Sequence, residues 1–291
     1  MTRPTFVKIL KIAIYSLGCI ATGVLIQRYY PVGVTLRELG IIRNKLEINK
    51  LETNDNSEML SEKVEIHDTP LQGKKVMVAI VFGQSNSANY GESRKGAKEG
   101  VYNFYKGKLY RAEDPLLGAD GNQGSVWTRF GNKIIDEELY DVVIFISIGV
   151  GNTSIARWTA GGDLHSRIIN AINEVTQSGL KVTHLLWHQG EADVNISKKE
   201  YKIMFMDMVY SIRNKGVEAP IYVSIATRCG RSILNEIQEA QAELVDISSG
   251  IYPGPNTDSL GFCYRYDGCH FSDEGLEKYA DLWIEKLRAK Y

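Results

Sequence analysis

The chain has 291 residues but only four cysteines, and no two of them are spaced as CxxC. That lack argues against a structural zinc site, which needs paired thiolates to close its tetrahedron. An excess of charge of either sign is missing too: 34 Lys+Arg against 35 Asp+Glu leave a formal net charge of -1. Such a balance makes no broad field for phosphate backbones or an anionic membrane surface. No basic run carries interleaved aromatics, so nucleic-acid binding lacks its usual footprint. No segment repeats itself at a fixed period, which sets solenoids and propellers aside. No long apolar lid segment stands out in the body of the chain, which disfavours an acyl-chain lipase or thioesterase. What remains is ordinary globular composition, 44% hydrophobic and 24% charged. The length suits one large domain with a full core, or two small ones.

The first 30 residues read differently from the rest. Ile12 to Ile26 is an uncharged apolar run, IAIYSLGCIATGVLI, preceded by Arg3, Lys8 and Lys11 and followed by Arg28, Tyr29 and Tyr30. Taken from Phe6 it is long enough to span a bilayer, with Lys8 snorkelling to the headgroups. The basic flank keeps the N-terminus cytoplasmic and exports everything after Arg28. The favoured reading is an uncleaved transmembrane anchor over residues 1–30. The alternative is secretion after cleavage near Ala21-Thr22-Gly23. Residues 31–74 read as a stalk, with a short amphipathic stretch (Leu36, Leu39, Ile42, Leu46) and then a polar linker.

From residue 75 to 291 apolar runs alternate with helical patterns. Val76–Phe82, Asp141–Ile148, Val182–Trp187 and Ile221–Ala226 are expected strands, continuous and rich in branched residues as in a parallel sheet buried on both faces. His165–Ser178, Ser197–Lys215, Ile233–Leu244 and Asp273–Ala289 carry apolar residues at helical spacing. Alternation of this kind predicts an α/β fold, a three-layer α/β/α sandwich around a parallel sheet, with functional groups at the carboxyl ends of strands. Asn103 to Leu117 reads as a small hairpin and loop beside the site.

The residues after those strands carry the chemistry. Gly83-Gln84-Ser85-Asn86 puts a serine on a tight strand-to-helix turn, where hydroxyl and N–H point to one place. Gly149 to Ile155 is a glycine-bearing loop whose N–H groups can hold an oxyanion. His188-Gln189-Gly190-Glu191-Ala192-Asp193 is a polar cluster. The Gln189 amide can donate to an oxyanion, Glu191 and Asp193 can order loops or bind substrate, and His188 is either a base or a packed strand end. Asp267, three residues before His270, can hold Nδ1–H of the imidazole and leave Nε2 for the nucleophile. Ser272 or Asp273 reads as the N-cap of the last helix.

These clusters, GQSN at Gly83–Asn86, GNTSIARW at Gly151–Trp158, WHQGEAD at Trp187–Asp193 and DGCH at Asp267–His270, resemble the SGNH hydrolases. They are most similar to the sialate O-acetylesterase and acetylxylan-esterase branch. The resemblance implies a flavodoxin-like sheet and hydrolysis of O-acetyl esters on carbohydrates such as sialic acid, xylan or a surface polysaccharide. It implies Ser85 as nucleophile, His270 as base and Asp267 as its orienter. The oxyanion hole would be the Ser85 N–H, the Gly151 N–H and the Gln189 side chain, with no metal or organic cofactor. Asn152 stands where that branch more often has a second glycine, so the loop donor is Gly151 or Asn152. Gln84, Asn86 and Glu191 are supporting candidates, and Arg157, Trp158, Arg228 and Trp127 are candidates to line a sugar site. In an oxidising compartment one disulfide and one free thiol are expected among Cys229, Cys263 and Cys269. A Cys263–Cys269 bridge would stiffen the loop of His270, pairing through Cys229 is the alternative, and three reduced thiols stand equally open. The expected partners are an acetylated carbohydrate and, through the anchor, a membrane. Two rival functions use the same residues: an anchored O-acetyltransferase, and a glycan-binding protein without catalysis.

Overall fold

The computed structural model describes residues 60–67, 71–230 and 232–289. The expected anchor and most of the stalk lie outside them. Among the described residues no helix is long and apolar enough to cross a membrane.

Eight strands form one sheet: β1 (Glu65–Ile66), β2 (Val76–Gly83), β3 (Val101–Tyr105), β4 (Lys108–Arg111), β5 (Val142–Ser147), β6 (His184–His188), β7 (Ile221–Ile225) and β8 (Ile251–Asn256). Their order is β1-β4-β3-β5-β2-β6-β7-β8. The β1–β4 and β4–β3 pairs are antiparallel and the rest are parallel. Without the β3–β4 hairpin, the parallel strands run in the doubly wound order 2-1-3-4-5. The direction of winding therefore reverses beside β2, and a crevice opens at its carboxyl end. The expected hairpin is present as β3–β4, turned by Lys106 and Gly107, both at positive φ (49° and 78°), as a tight twisted hairpin requires.

Among the described residues five helices cover the sheet: α1 (Val126–Asp136), α2 (His165–Gln177), α3 (Lys198–Arg213), α4 (Asn235–Glu243) and α5 (Asp273–Arg288). Successive strand residues point to opposite faces. Met77, Ala79 and Val81 of β2 join Phe130 and Ile134 of α1 and Tyr279 and Trp283 of α5 in one core. On the other face Phe82 meets Trp187 at 4.9 Å, and Trp187 meets Phe205 of α3 at 6.4 Å. The result is the expected mostly parallel α/β sandwich. Helix ends follow local chemistry: Ser197 and Glu200 form a capping box at α3, and Ser272 caps α5 by accepting from Gly275 N–H.

Three elements differ from expectation. Strand β1 lies in the segment read as a polar linker, yet it pairs with β4 at the sheet edge. Helix α1 was not foreseen; it has Gly131 inside it because a Cβ there would lie 2.5 Å from Val101 Cγ1 and 2.9 Å from Phe145 Cε2. Strand β8 contains Pro253 and Pro255, which disguise it in sequence, and it pairs only with β7 at the sheet edge, where proline is tolerated. Trp127, a candidate sugar residue, is instead a core residue of α1 with no exposed surface.

Candidate active site

The nucleophile candidate sits where β2 ends. Gly83 has φ +130°, and a Cβ on it would lie 2.0 Å from the His188 carbonyl oxygen, so only glycine lets β2 run this close to the end of β6. Ser85 then opens a 3-10 turn, Ser85–Ser87, closed by Ser87 N–H to Gln84 O (2.8 Å) and Ala88 N–H to Ser85 O (2.9 Å). Gln84 is a strut: its Oε1 accepts from Gly190 N–H and Ala192 N–H, each at 3.2 Å. Asn86 Nδ2 donates to Glu191 Oε1 (2.9 Å) and to Cys269 O (3.2 Å). The GQSN turn thus clamps the QGE loop on one side and the histidine loop on the other.

The loop before α5 supplies His270. Asp267 Oδ2 lies 2.6 Å from His270 Nδ1, and Asp267 Oδ1 accepts from the N–H groups of His270 (2.7 Å) and Cys269 (2.8 Å). Partial burial pushes the Asp267 carboxyl up, but these hydrogen bonds outweigh it and hold the group below its ordinary value. The imidazole lies against Tyr90, with centroids 5.3 Å apart and planes 21° apart, and Tyr266 flanks it at 6.3 Å. The disulfide joins Cys229, in the loop after β7, to Cys269, and Cys263 is free and exposed. A Cys263–Cys269 bridge is thereby ruled out, and the loop of His270 is tied across the site to a different strand end.

Ser85, His270, Gly151, Asn152, Gln84 and Glu191 share the lining of one cavity of about 380 Å³, together with Tyr90, Ala192 and the disulfide. Among the described residues, neither Ser85 Oγ nor His270 Nε2 has a hydrogen-bond partner. Asn152 has φ 52°, which turns the Gly151–Asn152 backbone into the cavity wall. Gly151 N–H donates to Asp120 Oδ2 at 3.1 Å.

Other candidates fall elsewhere. The Gln189 amide has both hydrogens engaged, by Asp193 Oδ2 at 2.5 Å and Thr153 O at 3.0 Å, and it is fully buried. It braces the loops and is not free to donate to an oxyanion. Trp158 is fully buried, its Nε1–H on Thr153 Oγ1 at 3.0 Å, so it packs the core beneath the site. Arg157 pairs with Asp163 at 2.6 Å and does not line the cavity. Arg228 Nε donates to Asp258 O at 3.0 Å. His188 is fully buried with Nε2 2.9 Å from Thr257 Oγ1. Burial, reinforced by the Arg265 charge, pulls it down to about 3, so it is a neutral packed residue and not a base. Tyr90, Asp120 and Cys229 join the site with no motif to announce them.

Burial pushes the Glu191 carboxyl up to about 7, although the Asn86 hydrogen bond opposes it. Its folded value therefore lies above the ordinary 4.5, and between the two the folded state binds the extra proton. This group's contribution is full below about 4.5 and is lost as pH rises toward about 7. His188 titrates with the opposite sign, so the difference from Glu191→Gln isolates the carboxyl. Urea midpoints across that window should show the Gln variant gaining on the wild type as pH rises; a constant difference contradicts this.

Breaking the disulfide should cost stability. It closes a separation of 40 residues, a constraint worth about 2–4 kcal/mol. Cys229→Ser, or the wild type in dithiothreitol, should melt lower by circular dichroism; an unchanged melting curve contradicts the tie.

The strand order and the Ser85, His270 and Asp267 cluster define an SGNH-type α/β hydrolase fold. Residues 75–286 match the family described as carbohydrate esterase, sialic acid-specific acetylesterase, and the chain belongs to that family. A probable carbohydrate esterase from Arabidopsis thaliana is 25% identical over 136 residues, 46% of this chain and 50% of the relative. The chain thus matches about half the length of that curated relative. A solved Arabidopsis thaliana structure superposes with TM-score 0.60 at 18% identity, covering 72% of this chain and 96% of that one. The crystal structure of NanS superposes with TM-score 0.52 at 13% identity, covering 73% and 96%. At those identities the two structures speak for the fold.

Proposed function

We propose that this chain is a serine esterase that removes O-acetyl groups from carbohydrates. The observation that carries the reading is the shared cavity of Ser85 and His270, with Asp267 on the far nitrogen of the imidazole. Ser85 Oγ attacks the acetyl carbonyl while His270 Nε2 takes its proton. The carbonyl oxygen, now negative, is met by the Ser85 N–H and the Asn152 N–H, since the Gly151 N–H is held by Asp120, each worth about 3 kcal/mol in such a role. His270 returns the proton to the sugar oxygen as the C–O bond breaks, leaving acetyl-Ser85. Water, deprotonated by His270, then releases acetate and restores the serine. Asp267 fixes the tautomer throughout. Membership of a carbohydrate esterase family supports the substrate class.

The test is acetate release by the full chain from 4-nitrophenyl acetate, acetylated xylo-oligosaccharides and O-acetylated sialic acid. Release from at least one acetylated sugar is expected. No release from any ester by folded protein contradicts the reading, and acetyl transfer to an added sugar outpacing hydrolysis would assign a transferase.

The same reading puts the catalytic domain on the exported side, periplasmic or extracellular, behind the apolar segment Ile12–Ile26. The basic flank of that segment and the Cys229–Cys269 disulfide support it. Protease added to cells whose outer barrier is opened but whose plasma membrane is intact should digest the domain; protection until the plasma membrane is broken contradicts export.

A further inference from the structure

The loop between β4 and α1 brings an exposed carboxylate that no motif accounts for against two residues of the cavity wall, Tyr90 and Gly151. Asp120 is held by its backbone: its N–H donates to Gly149 O and its carbonyl accepts from Asn89 N–H, both at 2.9 Å. The loop comes this close because Gly121, φ +84°, has no side chain; a Cβ would lie 2.5 Å from Asn89 O and 2.9 Å from Tyr90 Cε2. The carboxylate is exposed yet fixed. Oδ1 accepts from Gly121 N–H at 2.9 Å, and Oδ2 accepts from Tyr90 O–H at 2.7 Å and from Gly151 N–H at 3.1 Å. Tyr90 in turn stacks on His270, and Tyr90 and Gly151 line the cavity with Ser85.

We propose that Asp120 determines substrate class at this site, accepting a hydroxyl of an uncharged sugar and turning away acidic ones. The proposal rests on the esterase reading above. A carboxylate offers about four acceptor positions, and three are filled, so one on Oδ1 remains for a donor. A sugar hydroxyl is such a donor, and the bond is charge-assisted. An acidic sugar would instead bring a second negative charge beside Asp120. No lysine or arginine is among the described residues that line the cavity. Arg265 is buried, with donors on Cys269 O and Thr257 O, and Arg228 gives its Nε–H to Asp258 O; neither lines the cavity.

The experiment compares kcat/KM of the full chain on an acetylated xylo-oligosaccharide and on O-acetylated sialic acid, with 4-nitrophenyl acetate as the sugar-free ester. The wild type should favour the neutral sugar, and Asp120→Asn should shrink the neutral-to-acidic ratio about five- to tenfold, the scale of one charge pair near contact. Because that variant can fold poorly, the wild type is also run from about 0.02 to about 0.5 M salt, where screening should shrink the same ratio. A wild type that prefers the sialate, or a ratio unmoved by both the substitution and salt, overturns the proposal while leaving the esterase intact. A wild type inactive on every ester, 4-nitrophenyl acetate included, overturns the esterase reading and this one with it.

Discussion

Ser85→Ala lowers acetate release by about 10⁴- to 10⁶-fold, the range seen when one member of a nucleophilic unit is removed. The loss is expected in kcat, since in the proposed mechanism Ser85 Oγ forms the bond and does not hold the substrate. His270→Ala should lose a similar amount, and the double variant little more, because the two groups act as one unit. Folding should be unaffected: the hydroxyl has no hydrogen-bond partner among the described residues, and the Ser85–Ser87 turn is made by backbone groups. Kinetics on 4-nitrophenyl acetate alongside a thermal melt separate the two effects. A variant melting like the wild type and retaining activity within tenfold contradicts the assignment of Ser85.

Trp127→Ala should be among the most damaging changes in the core. The ring has no exposed surface and lies 5.5 Å from Trp283, 6.2 Å from Phe145 and 6.3 Å from Phe130. Truncating a buried tryptophan costs about 3–5 kcal/mol through lost burial and the cavity left behind. In a domain of this size that lowers the melting temperature by about 10 °C. The same residue reaches the site, because its Nε1–H donates to Ser87 O at 2.9 Å, at the end of the turn that presents Ser85. Trp127→Phe keeps most of the packing and loses that bond, so it should cost less, about 1 kcal/mol for the bond itself plus the smaller ring. Circular dichroism melts of both variants decide; an Ala variant that melts with the wild type contradicts the core placement.

Strands β2, β5, β6 and β7 were legible because strands covered on both faces must be apolar throughout, and VMVAIVFG and VVIFIS are. The four helices with clear periodicity were legible for the matching reason. β8 was not, since its prolines read as loop until the sheet edge explains them. α1 was not, since its glycine matters only against Val101 and Phe145. Ser85, His270 and Asp267 lie within short local motifs, so sequence spacing alone brings Asp267 to His270. Gln189 shows the limit. Its place at a strand end is readable, but the direction of its amide is set by Asp193 and by Thr153, 36 residues upstream. The tryptophans show it again, because aromatic character is the same in a core and in a sugar cleft. The partner of Cys269 proved to be 40 residues away, and Asp120 and Tyr90 meet only through folding.

The most direct test of the central claim is to trap the nucleophile. The full chain is treated with an organophosphate that phosphorylates activated serines and is mapped by peptide mass spectrometry, beside Ser85→Ala and His270→Ala. A single adduct on Ser85 is expected, absent from the first variant and strongly slowed in the second, with acetate release falling in step as the adduct forms. An adduct on another residue, or full acetate release from protein phosphorylated at Ser85, would contradict it.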